Sequence, residues 1–203
     1  VIDPGTPDTI PPRPPVMESD PALKERILLA FEALSVAGPE GAYVFHARSA
    51  HPLVLNARAT SPKPGTVLVS VMARTADGLP TPEVLEAVQL HLTSPNIRPL
   101  TDHVTVAAAT RLPYRVHVAL QLYSGPDAAV VVRNAEESVR AFTQAQRRFA
   151  EPVTLDGVHK AARVEGVRRV TVTKGDATTP FVAIEPPETG FADCTHLTVQ
   201  VED

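Results

Sequence analysis

The residues of this sequence with the chemistry to act on a substrate are one cysteine, seven histidines and a few neighbouring carboxylates. Cys194 and His196 lie two apart. On a strand they would share one face, the one spacing here that resembles a thiol nucleophile beside its base. A free, buried cysteine is the plainer reading, because nothing around Cys194 in sequence would lower its pKa. Asp102-His103 pairs a carboxylate with an imidazole, yet adjacent strand residues point to opposite faces and do not readily bond side chain to side chain. His46 and His51 fall on or just past the second helix, His91 at the end of the third, His103 at the start of a strand and His117 on the polar face of another, without an i, i+4 pair on one helix and without His-x-His. They read as scattered surface or interface histidines. Glu136 and Glu137 diverge by about 100° on a helix, and Glu185 and Glu188 flank Pro186-Pro187 in an extended turn, so both sets read as solvated. Phosphate loops, dinucleotide fingerprints, nucleophile elbows and zinc-protease helices do not occur. The expectation is a chain with no catalytic, cofactor-binding or metal residues, hence no enzyme and no cofactor.

Composition supports that expectation. The 203 residues are 43% hydrophobic and only 4% aromatic, without Trp, so the core is built from Val, Leu, Ala and Ile. A net charge of -4 is not the electrostatic footprint of a protein that neutralises many phosphates, which disfavours nucleic acid as a partner. A single cysteine excludes an intrachain disulfide, makes a cysteine-based zinc site very improbable and suits a reducing compartment. Runs of about 18 apolar residues, the length of a membrane-spanning helix, are absent. Val1-Ile2-Asp3-Pro4 carries neither a start Met nor a signal-peptide profile, so the chain is expected to begin inside a longer protein.

The elements that position these residues follow from periodicity and punctuation. Residues 1–19 hold Pro4, Pro7, Pro11, Pro12, Pro14 and Pro15, an extended linker or an arm laid on a neighbouring subunit. Ser19 or Asp20 caps a helix with Pro21 in its first turn; Leu23, Ile27, Phe31 and Leu34 form its apolar stripe, and Gly38-Pro39 ends it. A short helix to Ala50 carries Tyr43 and Ala47 on one side. Strands over Val54–Thr60 and around Val67, Val69 and Val71 are joined by the turn pair Pro64-Gly65. Asp77-Gly78 turns the chain, and Thr81-Pro82 opens a helix burying Val84, Leu85, Val88 and Leu92. A strand over Asp102–Ala108 follows. Tyr114, Val116, Val118, Leu120 and Leu122 alternate with polar residues as the clearest half-buried strand. Helices from about Arg133 to Phe149 (Ala135, Val139, Phe142 and Phe149 inward) and Thr154 to Val164 (Leu155, Val158 and Ala162 inward) precede strands near Val167–Thr173 and His196–Val201. This order lacks a strict βαβ rhythm. It predicts the α+β class: two small mixed α/β domains in tandem, 20–110 and 111–203, behind a Pro-rich arm over 1–19, with a short connection near Thr110–Pro113.

Four segments carry a resemblance. Ser35-Val36-Ala37-Gly38-Pro39-Glu40-Gly41-Ala42-Tyr43, followed by His46-Ala47 and Ser49-Ala50, is similar to the signature of the baseplate J-like family. Ser61-Pro62-Lys63-Pro64-Gly65-Thr66-Val67 resembles its turn between two strands. Arg98-Pro99-Leu100-Thr101-Asp102-His103-Val104-Thr105-Val106 resembles its third segment, and Glu165-Gly166-Val167-Arg168-Arg169-Val170 its penultimate strand entry. The resemblance runs from about Pro14 to Val201. At the amino end, a region that family members carry is expected to be missing, which would leave the outer, ring-forming part.

The resemblance implies a wedge protein of a contractile tail baseplate, in phage, prophage or bacteriocin, that helps trigger sheath contraction and needs no cofactor. Its implied partners are other copies of itself, other wedge proteins and a lysozyme-like sheath initiator. Its implied place is the virion tail, after assembly in the host cytoplasm. Tyr43, Phe45, His46 and Arg48 are the interface residues expected, with Tyr43 alternatively packing the first helix pair. The competing readings are a small hydrolase using Cys194 and His196, or a soluble peptide- or carbohydrate-binding module.

Overall fold

Alternating valines build the first sheet. In the computed structural model, which describes residues 15–32, 40–95, 97–99, 101–125 and 127–202 and every side chain among them except those of Leu29, Phe31 and Glu32, helices α1 (Asp20–Glu32) and α2 (Glu40–Ala50) precede strands β1 (Val54–Lys63) and β2 (Thr66–Ala73). Residues 1–14 of the arm expected over 1–19, and the helix stop at Gly38-Pro39, lie outside the described residues. β1 and β2 form an antiparallel hairpin whose turn pairs Lys63 with Thr66 and sets Gly65 at φ 76°, a left-handed conformation that glycine adopts without strain. Asp77 and Gly78 close the next turn: Asp77 Oδ1 accepts from Thr75 Oγ1 and from the Leu79 amide, and Gly78 takes φ 78°.

Thr81 and Pro82 open α3 (Pro82–Leu92), which buries Val84, Val88 and Leu92 as its spacing predicts. The chain returns as β3 (His103–Ala108), parallel to β2 from Thr66↔His103 to Val71↔Ala108. A parallel neighbour needs a crossover, and α3 supplies it. In the resulting order β1-β2-β3, the free side of β3 is blunted by Gln89, whose amide donates to Val104 O at 3.0 Å and accepts from Val106 N at 2.8 Å. Val69, Val71, Val88 and Ala47 are fully buried between sheet and helices.

The described half of the stripe expected on α1 is not buried: Leu23 is 38% exposed and Ile27 51%, with Leu28 next to it at 70%, while Phe31 and Leu34 lie outside the described side chains. α1 packs against α2 with its other side, where Ala22 and Arg26 are half-buried.

The second sheet is organised around β4 (Thr110–Leu122). It runs antiparallel to β5 (Val167–Lys174) and parallel to β6 (Gly190–Val201), giving the order β5-β4-β6. Val116, Val118 and Leu120 point into a core completed by Val131, Ala135 and Val139 of α4 (Ala128–Ala145) and by Val158 and Ala162 of α5 (Leu155–Ala162).

Several boundaries differ from expectation. β4 starts before the clean alternation does, so Thr110–Pro113 are strand and not connection. Pro113 is tolerated there because β5 pairs only from Val116 onward. α4 starts at Ala128 because Asp127 accepts from the Ala129 amide as N-cap and Val131 extends the buried stripe; it ends at Ala145, leaving Phe149 beyond it. Leu155 stays 36% exposed at the first turn of α5. His117 is 8% exposed and not a surface histidine; its Nδ1 lies 3.2 Å from Thr173 Oγ1 on the neighbouring strand.

The chain divides into two compact units, Val1–Ala109 and Thr110–Asp203. Each holds one three-stranded mixed sheet with helices, so the class is α+β.

Candidate functional site

α2 carries the four expected interface residues, and burial separates them into two pairs. Tyr43 is 4% exposed in the core of the first unit, and its hydroxyl donates to Asp102 Oδ2 at 2.6 Å. Burial, then the bond to the Asp102 carboxylate, pushes the phenol well above its usual range, so it remains a protonated donor. Arg48 is also turned inward, its side chain 4% exposed, with Nη1 3.6 Å from Glu25 Oε2 on α1. Phe45 and His46 are half-buried. Their rings meet edge to face at 5.4 Å, and His46 lies 5.7 Å from the ring of His91 on α3. Burial first, then the neighbouring His91, lowers the pKa of His46.

Asp102 therefore has a partner, but it is Tyr43 and not His103. His103 opens β3 as an exposed residue, as adjacent strand positions require.

Cys194 and His196 are not assembled as a nucleophile and base. Between them the ladder shifts register: Cys194 pairs with Tyr114 and His196 with the next residue, Arg115. The extra residue, Thr195, breaks the alternation that would have put both side chains on one face. The thiol instead reaches the backbone oxygen of His196 at 3.6 Å. Burial, the largest influence, raises the Cys194 pKa, the wrong direction for a thiolate nucleophile.

The second unit contains an ionic cluster that the sequence did not reveal. Asp193, 8% exposed, accepts from Arg111 at 2.6 and 2.8 Å and lies 3.1 Å from Arg147 Nε. Arg147 also stands over the Phe191 ring at 5.5 Å. Arg111 and Asp193 are 82 residues apart, so no local spacing announces the pair. Glu136, by contrast, pairs with Arg140 one turn away on the α4 surface. Among the described residues, no group of three or more His, Cys, Asp or Glu could hold a metal ion, and no helix is long and apolar enough to cross a membrane.

What is assembled on α2 and at the entry to β3 is a fixed helix–sheet junction, made by two of the segments that carry the resemblance. Residues 35–108, which contain both, match the model of the baseplate J-like central domain. Baseplate protein J of Escherichia phage P2 is 37% identical over 198 residues, 98% of this chain and 64% of that protein. The chain belongs to the baseplate J-like family. It spans a little under two thirds of the length of that P2 relative. A solved structure of the anti-feeding prophage baseplate, determined by cryo-EM and 6-fold symmetrised, has a chain that superposes with a TM-score of 0.53 at 13% identity, covering 92% of this chain and 43% of that one. That likeness is one of fold. In this baseplate J-like chain, the family model covers α2, the whole first sheet and α3.

Proposed function

We propose that this chain is a structural component of the baseplate of a contractile tail, a wedge element repeated around the tail axis whose role is mechanical and not catalytic. The observation that carries the reading is the 37% identity to P2 baseplate protein J along 98% of the chain. The fold likeness to a 6-fold symmetrised baseplate supports a ring arrangement, in which heterologous contacts close by rotation. The partners are other copies of the chain, other wedge proteins and a lysozyme-like sheath initiator. Assembly in the host cytoplasm is followed by residence in the tail, where rearrangement of the ring helps trigger sheath contraction.

Two surfaces suit that role. On α1, Leu23, Ile27 and Leu28 are exposed within about one and a half turns of the helix, an apolar strip of the kind assembly covers. On α2, Phe45 and His46 offer a half-exposed aromatic edge, with Tyr43 and Arg48 holding the helix from beneath. Co-expression of the full-length protein with the sheath initiator tests the reading. Stable co-purification is expected; two proteins that elute separately at micromolar concentration would contradict it.

A further inference from the structure

The first unit contains a cleft of about 240 Å³ into which three arginines converge: Arg26 from α1, Arg48 from α2 and Arg74 just past β2. Glu18 and Ser49 complete its polar lining. Glu18 sits in the irregular stretch before α1, and Arg26 donates to its Oε2 from Nε at 3.1 Å and from Nη2 at 3.0 Å. The Arg26 hydrogen bond, opposed by burial and aided by the charges of Arg26, Arg48 and Arg74, holds the Glu18 carboxyl below its usual range.

Charge and donors are both in surplus. A guanidinium stays protonated at any ordinary pH, so one taken out of water has to be matched by acceptors. Arg48, nearly inaccessible, has for its ion-pair partner Glu25, whose own side chain is 64% exposed and 3.6 Å away. The buried Nε of Arg74 has no hydrogen-bond partner among the described residues. Among the described residues, the three cations of the cleft thus have Glu18 within it and the largely exposed Glu25 outside its lining as carboxylate partners, and the Arg74 Nε donor is left over.

We propose that this cleft is a carboxylate-binding site, filled by the chain's own Glu18 and built to accept an acidic side chain of a partner segment in its place. The resident is itself a carboxylate, and guanidinium forks match planar carboxylates. Glu18 precedes the first helical residue, so its withdrawal requires no helix to melt. An incoming carboxylate gains the Arg74 donor that Glu18 leaves unused. The site is read from the first unit alone and stands independently of the baseplate reading.

The test uses the 203-residue chain with succinate and inorganic phosphate as probes, followed by calorimetry and by amide chemical shifts. Glu18→Gln removes the internal competitor and is expected to bind succinate roughly tenfold or more tightly than the parent chain, a competition worth one decade or more in Kd. Adding Arg74→Ala is expected to return the affinity to the parent level. If that double variant unfolds, Arg26→Ala replaces Arg74→Ala, since the Arg26 side chain is 40% exposed and its loss is better tolerated. Failure of Glu18→Gln to bind succinate saturably, binding indifferent to the arginine substitution, or preference for phosphate over succinate would each overturn the proposal.

Discussion

Tyr43 and Asp102, 59 residues apart, are joined by a 2.6 Å hydrogen bond that fixes α2 to the entry of β3. The bond is made inside the core boundary, where the Tyr43 phenol is held above its ordinary titration range by burial and by the carboxylate it serves. Charge-assisted bonds of this kind are stronger than neutral ones. It also explains why two distant segments belong together: each supplies one partner of a single clasp.

Removing the clasp should therefore cost the first unit stability. Tyr43→Phe is expected to lower the free energy of unfolding by about 1–2 kcal/mol, the loss of one bond to a half-buried carboxylate. Urea denaturation measures it. A double cycle with Asp102→Ala, which removes the acceptor, should give a coupling term of about 1 kcal/mol, and purely additive single effects would show that the bond contributes nothing.

The Asp193 cluster should matter as well. Asp193→Ala leaves two arginines, Arg111 and Arg147, without the carboxylate they share. The two arginine side chains are 32% and 23% exposed, so water recovers part of the loss; the cost is expected to be about 1–2 kcal/mol, and the second unit should melt at lower temperature. An unchanged melting curve would mean that solvent already satisfies both guanidinium groups.

How much of this was legible in the sequence depended on whether a signal was local. Val67, Val69 and Val71 announced β2, Pro64-Gly65 its turn, and Thr81-Pro82 with Val84, Val88 and Leu92 the whole of α3. The parallel pairing of β2 with β3 and of β4 with β6 was not legible, because such a partner is chosen across a crossover. The alternation marks β6 only from His196 onward, since Asp193, buried against Arg111, breaks the apolar pattern of its first half. The Leu23–Ile27 spacing identified a helix correctly but not its surroundings: periodicity shows a face, not what covers it. At the candidate site, resemblance singled out Tyr43, Phe45, His46 and Arg48, but only the coordinates separate the inward pair from the half-exposed one. Arg26, Arg48 and Arg74 come from three elements, so their shared cleft left no spacing to read.

His46 should make the first unit sensitive to mild acid. Its pKa is lowered in the folded chain by burial and by His91 on the facing helix, with Phe45 against its other side. A group that is less basic folded than unfolded contributes its stability above the unfolded value, about 6.5. That contribution is lost as pH falls from there through the lowered folded value. Thermal melting should show stability falling as pH drops below about 6.5, a loss that His46→Gln reduces; an identical drop in that variant would assign it elsewhere.

The exposed strip on α1 separates assembly from folding. Ile27→Glu and Leu28→Glu remove little buried area, Ile27 being 51% and Leu28 70% exposed. Each is expected to change stability by no more than about 0.5 kcal/mol while weakening co-purification with baseplate partners at least severalfold. Intact co-purification of the doubly substituted protein would remove α1 from the interface.

The baseplate role itself is tested most directly by cryo-EM of contractile particles isolated from the strain that encodes this sequence. The chain should be traceable in the baseplate density, in several copies around the tail axis, with its two three-stranded sheets recognisable. Intact particles whose baseplate density is fully accounted for by other proteins would contradict the account.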